Sequence, residues 1–155
     1  MSPVDALIFG VMRVLSESEV LALLPISSDL LGSDHPLPAG LISVHSDVPS
    51  HTMGPTEAYR VIRLSVEWIG EDADGKGADD ITDPLNELAR EKLFVDDENE
   101  TAQERLARHM EPKGVGIGIP MEVGSILPYT KKLGKDTTEF RRARGYFFEF
   151  HTERI

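Results

Sequence analysis

The chain has 155 residues, no cysteine, and 27 acidic against 16 basic side chains, for a net charge of −11. That length fits one domain with a core of its own, and the missing cysteine excludes disulfides and thiolate metal sites. No apolar run reaches the ~18 residues that a membrane span needs, and the opening Met1-Ser2-Pro3-Val4-Asp5 lacks the basic region of a signal peptide, so the expectation is a chain made in the cytoplasm.

Ser2-Pro3-Val4-Asp5 has the order of a helix start: an N-cap serine, a proline at the first helical position, and an acid near the positive end of the dipole. Val4, Leu7, Ile8, Val11, Val14 and Leu15 then follow at helical spacing. Ser16 or Ser18 can recap the chain into a short helix through Leu24, stopped by Pro25. Residues 25–40, with Pro25, Gly32, Pro36, Pro38 and Gly40, read as an irregular connection. Residues 41–45 form a short strand candidate and 49–55 a loop.

Residues 59–69 give the clearest strand. Ile62, Leu64, Val66 and Trp68 share one face, while Arg63, Ser65 and Glu67 lie on the other, so one face is core and one is wet or at an interface. Residues 71–80 read as an acidic, glycine-containing loop. Asp83 and Pro84 then start a helix whose stripe is Leu85, Leu88, Ala89, Lys92 and Leu93. After an acidic break at 96–100, Thr101 and Glu104 form a capping box that opens a further helix to about Met110. Val115, Ile117, Ile119 and Met121 alternate with Gly114, Gly116, Gly118 and Pro120 in the manner of a strand. Residues 125–139 form a polar loop or hairpin, and 142–152 a last strand with Tyr146, Phe148 and Phe150 on one face. This order predicts a single α+β domain, a largely antiparallel sheet with helices packed on one face.

Three stretches resemble chemical motifs and miss them. Asp72, Asp74 and Gly77 fall at positions of a calcium loop, but Lys76 stands where an oxygen ligand belongs, Asp79 where an apolar residue belongs, and Asp83 where a longer glutamate belongs. Gly114, Gly116 and Gly118 match neither phosphate-binding glycine pattern. They read instead as a strand face stripped of side chains, which another backbone or a neighbouring subunit can approach. His45, Ser46 and Asp47 are the three triad residue types in a row, without triad spacing or a nucleophile elbow. The expectation is a protein with no catalytic set, metal site or cofactor.

The charge is unevenly spread. Residues 1–112 carry 22 acids and 8 bases, whereas 113–144 carry 7 bases and 3 acids. An acidic body with one basic segment suits self-association in which unlike surfaces meet. Lys131, Lys132, Lys135, Arg141, Arg142 and Arg144 are therefore the candidate interface residues, with Gly114, Gly116 and Gly118 a second candidate on steric grounds. No nucleic-acid module accompanies these bases, so sequence-specific binding to nucleic acid is not expected. Only 6 lysines stand against 27 acids, a balance familiar from proteins of salt-loving hosts, where the Debye length shrinks to ~3 Å at 1 M salt.

The order of elements resembles that of the tail-terminator (tail-completion) proteins of long-tailed phages and related viruses. The matching stretches are the opening helix within 6–24 (ALIFGVMRVLSESEVLALL), a central strand at 59–70 (YRVIRLSVEWIG), a crossing helix at 83–94, and a closing strand at 140–152 preceded by a long loop or hairpin. The resemblance implies a virion structural protein. It would form a hexameric ring that caps the tail tube and joins tail to head, with itself, the tail-tube protein and the neck or connector proteins as partners, and with no catalysis. Another neck or tail-tube component is the alternative. From a different class, a small enzyme or ligand-binding domain would use the loop between His45 and His51.

Overall fold

A computed structural model describes residues 1–28, 39–49, 59–71, 77–126, 129–132, 139–142 and 145–155. The chain opens with helix α1 (Pro3–Ser16), then a 3-10 turn at Leu21–Leu23. Strands β1 (Ile26–Ser27), β2 (Ala39–Pro49) and β3 (Tyr59–Glu71) follow. Helices α2 (Gly77–Phe94) and α3 (Ala102–Met110) precede β4 (Val115–Ile117), β5 (Met121–Ile126), β6 (Tyr129–Lys132), β7 (Glu139–Arg142) and β8 (Gly145–Arg154). The result is the α+β arrangement that the sequence predicts. All described strand pairs are antiparallel except the short β1–β2 contact.

The helix starts follow from local chemistry. Ser2 Oγ accepts from the Asp5 N–H at 3.2 Å, and Thr101 Oγ1 accepts from the Glu104 N–H at 3.1 Å while Glu104 Oε1 accepts from the Thr101 N–H at 3.3 Å. Val20 stands at the N-cap of the 3-10 turn, and it is Ser18, not Ser16, whose Oγ reaches the turn, accepting from the Leu21 N–H at 3.3 Å. Helix α2 departs from expectation. It starts at Gly77, so residues 77–80 are helical rather than loop, and Pro84 lies inside the helix rather than at its first position. Asp79 and Asp80 then stand in the first turn, where the helix dipole favours acids.

One core lies between the helices and the sheet. Ile62, Leu64, Val66 and Trp68 of β3 meet Ala6, Leu7, Val11, Val14 and Leu15 of α1, with Leu85, Ala89 and Leu93 of α2 and Phe148 and Phe150 of β8. Trp68 and Phe150 are fully buried and Phe148 is 1% exposed. The other face of β3 is not simply wet: Ser65 and Glu67 are buried as well, at 1% and 2% exposure, and only Arg63 beside them is open. Alternation tells which residues share a face but not what covers it.

Close backbone approach occurs at two glycines that the strand argument did not single out. A Cβ on Gly10 would lie 2.7 Å from Met110 Cγ, so this residue lets α1 and α3 cross closely. A Cβ on Gly40 would lie 2.9 Å from the Trp68 ring and 3.0 Å from Ile26.

β3 and β8 organise the sheet. β3 pairs with β2 along one edge. Along the other it pairs with β8 from Tyr59 to Val66 and with β7 from Ile69 to Glu71. Trp68 falls between those two ladders, and its N–H donates instead to Asn86 Oδ1 of α2 at 2.6 Å. β4 and β5 both pair with the far edge of β8. The even run expected from Val115 to Met121 is therefore broken: Pro120, with no N–H to offer a ladder, separates β4 from β5, and Ile119 is 73% exposed.

Candidate functional site

The basic segment becomes a hairpin arm. Ile126 pairs with Gly145, Tyr129 with Arg142 and Lys132 with Glu139. Three steps forward on one strand match three steps back on the other each time, so β6–β7 continues the register of β5–β8. Lys131 and Lys132 stand on β6 opposite Phe140 and Glu139, and Arg141 and Arg142 stand on β7. The ladder thus brings four of the six candidate bases onto one hairpin, whose β7 strand also pairs with the end of β3. Lys135 and Arg144 lie outside the described residues, as do Asp72, Asp74, Lys76 and His51.

The glycines take a different place. Gly114 ends the 3-10 turn Glu111–Lys113 in the left-handed region at φ 81°, a conformation that glycine adopts without strain. Gly116 lies on β4 opposite Glu153, and the Gly118 N–H donates to the His151 carbonyl at 2.8 Å. A Cβ on Gly116 or Gly118 would meet nothing nearer than 3.6 Å, so neither is required by packing within the chain. Instead they floor an open cleft of about 270 Å³, walled by Tyr59, Glu111, His151 and Glu153.

The cleft is acidic. Glu153 accepts a hydrogen bond from the Tyr59 hydroxyl, which together with its charge holds the Tyr59 pKa above the ordinary value. Arg60 also lines the cleft but is neutralised by Asp47, Nε to Oδ1 at 2.6 Å. His151 Nε2 lies 3.3 Å from Glu149, which Arg63 also contacts at 3.1 Å. Burial pushes Glu149 upward, but the hydrogen bonds and charges of Arg63 and His151 outweigh it and hold the carboxyl below its usual range. Among the described residues no cationic side chain forms a salt bridge to Glu111 or Glu153.

A second, shallower depression has the opposite sign. Arg13 and Lys113 lie over the Phe9 ring at 5.3 and 5.0 Å from its centroid, beside Arg108 and His109. Glu17, just past the end of α1, answers the last two, 3.1 Å from Arg108 and 2.8 Å from His109.

His45, Ser46 and Asp47 do not form a catalytic set. His45 sits where the β2–β3 register shifts between Val44 and Ser46. Its Nε2 meets Ser65 Oγ at 2.8 Å and its ring stands edge-on to Phe147. A histidine against a serine is the start of a nucleophile, but Ser65 is 1% exposed, which closes it to substrate in this conformation. Asp47 belongs to Arg60. No group of three or more His, Asp and Glu side chains is placed to hold a metal ion among the described residues, and no helix there is long and apolar enough to cross a membrane.

Sequence reasoning found the basic segment but missed the acidic cleft, and of the three glycines expected on one strand face only Gly116 lies on a strand. The cleft's walls come from 59–60, 111 and 151–153, and only the pairing of β3, β8 and β4 brings them together. No protein-family model matches the sequence, and no curated protein matches it either.

Proposed function

We propose that this chain is a tail terminator of a tailed virus: a structural protein that assembles into a ring, caps the tail tube and joins it to the head through neck proteins. The observation that carries the reading is the hairpin arm. An opening helix, a long central strand, a helix packed across the sheet and a long hairpin before the closing strand are the parts, in the order, that the resemblance implies. The arm also bears a cluster of bases on an otherwise acidic chain, a segregation that suits contacts between unlike faces of identical subunits. The reading involves no catalysis and no cofactor.

Sedimentation of the purified chain tests it first: a closed ring is expected, and a monomer at every accessible concentration would sink the proposal. Addition to polymerising tail-tube protein tests it further. Tubes should stop at a capped end that binds heads, and tubes that grow unhindered would leave the chain without this role.

A further inference from the structure

We propose that the acidic, glycine-floored cleft between β3, β8 and β4 receives the basic hairpin arm β6–β7 of a second copy. The inference rests on the ring reading and names its contact.

Charge selects the occupant. The cleft offers Glu111 and Glu153, both exposed and neither in a salt bridge to a cation among the described residues, while its one arginine is held by Asp47. On its described strands the arm carries Lys131, Lys132, Arg141 and Arg142 against one acid, Glu139. The depression around Phe9 is cationic and would repel the same arm. Gly116 and Gly118 add a steric reason: with no side chain at these two positions, the incoming group reaches the backbone there and the rim carboxylates together.

Geometry excludes the chain's own arm. Tyr59, in the cleft wall, opens β3, and Glu71, the last partner of β7, closes it. Twelve steps of extended strand separate them, about 40 Å along the strand at its usual rise. Donor and acceptor surfaces therefore sit at opposite ends of one rigid element. Such a subunit associates head to tail, and repetition closes a ring when the rotation between neighbours permits.

The test uses two charge-reversed forms of the full chain, Lys131→Glu with Lys132→Glu on the arm and Glu111→Lys with Glu153→Lys in the cleft. Each alone sets like charge against like and should weaken self-association about tenfold or more in sedimentation velocity. Mixed in equal amounts, the two forms present opposite charges across every contact of a ring in which they alternate, and assembly should return. Gly118→Leu fills the floor without altering charge and should also weaken assembly. Circular dichroism and thermal melts check that each variant is folded, and Glu111→Gln with Glu153→Gln stands in if reversal unfolds the cleft. If folded cleft variants assemble like wild type while the arm variant does not, the arm seats elsewhere: the inference fails and the ring reading stands. Failure of the mixture to assemble also overturns the inference. A wild-type chain that never self-associates removes both.

Discussion

Arg105 is 4% exposed and ties three parts of the chain together. Its Nη1 donates to the carbonyls of Glu91, Lys92 and Val95 at 3.2, 2.9 and 2.8 Å. Those carbonyls crowd the end of α2, where a helix lacks partners for its last acceptors and its dipole favours a cation. Nη2 meets Asp97 at 3.1 Å. Replacing Arg105 by Met should cost about 3 kcal/mol in urea unfolding, because it strips buried acceptors as well as a charge. Arg105→Lys should recover little, since a single ammonium cannot cover the same fork of acceptors. Asp97 gives a pH dependence. The backbone N–H groups of Glu100 and Asn99, and then Arg105, hold its carboxyl below the ordinary value. A folded pKa below the unfolded one contributes stability that is complete above the unfolded value and is lost as pH falls through the folded one. Asp97→Asn should therefore flatten the acid limb of the stability curve, and a carboxyl NMR titration should find Asp97 below a model aspartate.

Among the elements, one polar side chain joins α2 to the backbone of β3. Asn86, 1% exposed, supplies the acceptor that the Trp68 N–H lacks between the β8 and β7 ladders. Asn86→Leu leaves that buried donor unpaired and should cost about 1–3 kcal/mol, measured by thermal or urea unfolding. Asn86 itself shows the limit of sequence reading. The stripe Leu85, Leu88, Ala89 and Leu93 is legible in its period, but a polar residue within it gives no sign that a strand 18 residues earlier needs it. Local chemistry was legible where its partners are local: Ser2 with Asp5, and Thr101 with Glu104. Asp83 and Pro84 misled because they also form a local start signal, whereas the helix runs through them from Gly77. The arm was legible as a basic segment or hairpin; its register with β8 was not. The cleft was illegible because its rows come from segments far apart in sequence.

At the scale of the molecule, charge gives two opposing salt effects. A net charge of −11 repels itself within the fold, so screening should raise the melting temperature of the monomer as salt is added. The proposed contact between arm and cleft is an attraction, so the same salt should weaken assembly. Melting and sedimentation across a salt series should move in opposite senses, and assembly that strengthens with salt would indicate an apolar contact instead. The order in which the sheet is built adds a different consequence. β8 pairs with β3 on one side and with β4 and β5 on the other, yet it follows all of them in the chain. On the ribosome, these three strands emerge before the strand that joins them. Until residues 145–154 leave the exit tunnel, β3, β4 and β5 display bare edges, the kind of surface on which nascent chains cross-pair. Synthesis halted before β8 would release an aggregation-prone fragment rather than a smaller sheet, and a cell making many copies at once would need chaperones most during that interval.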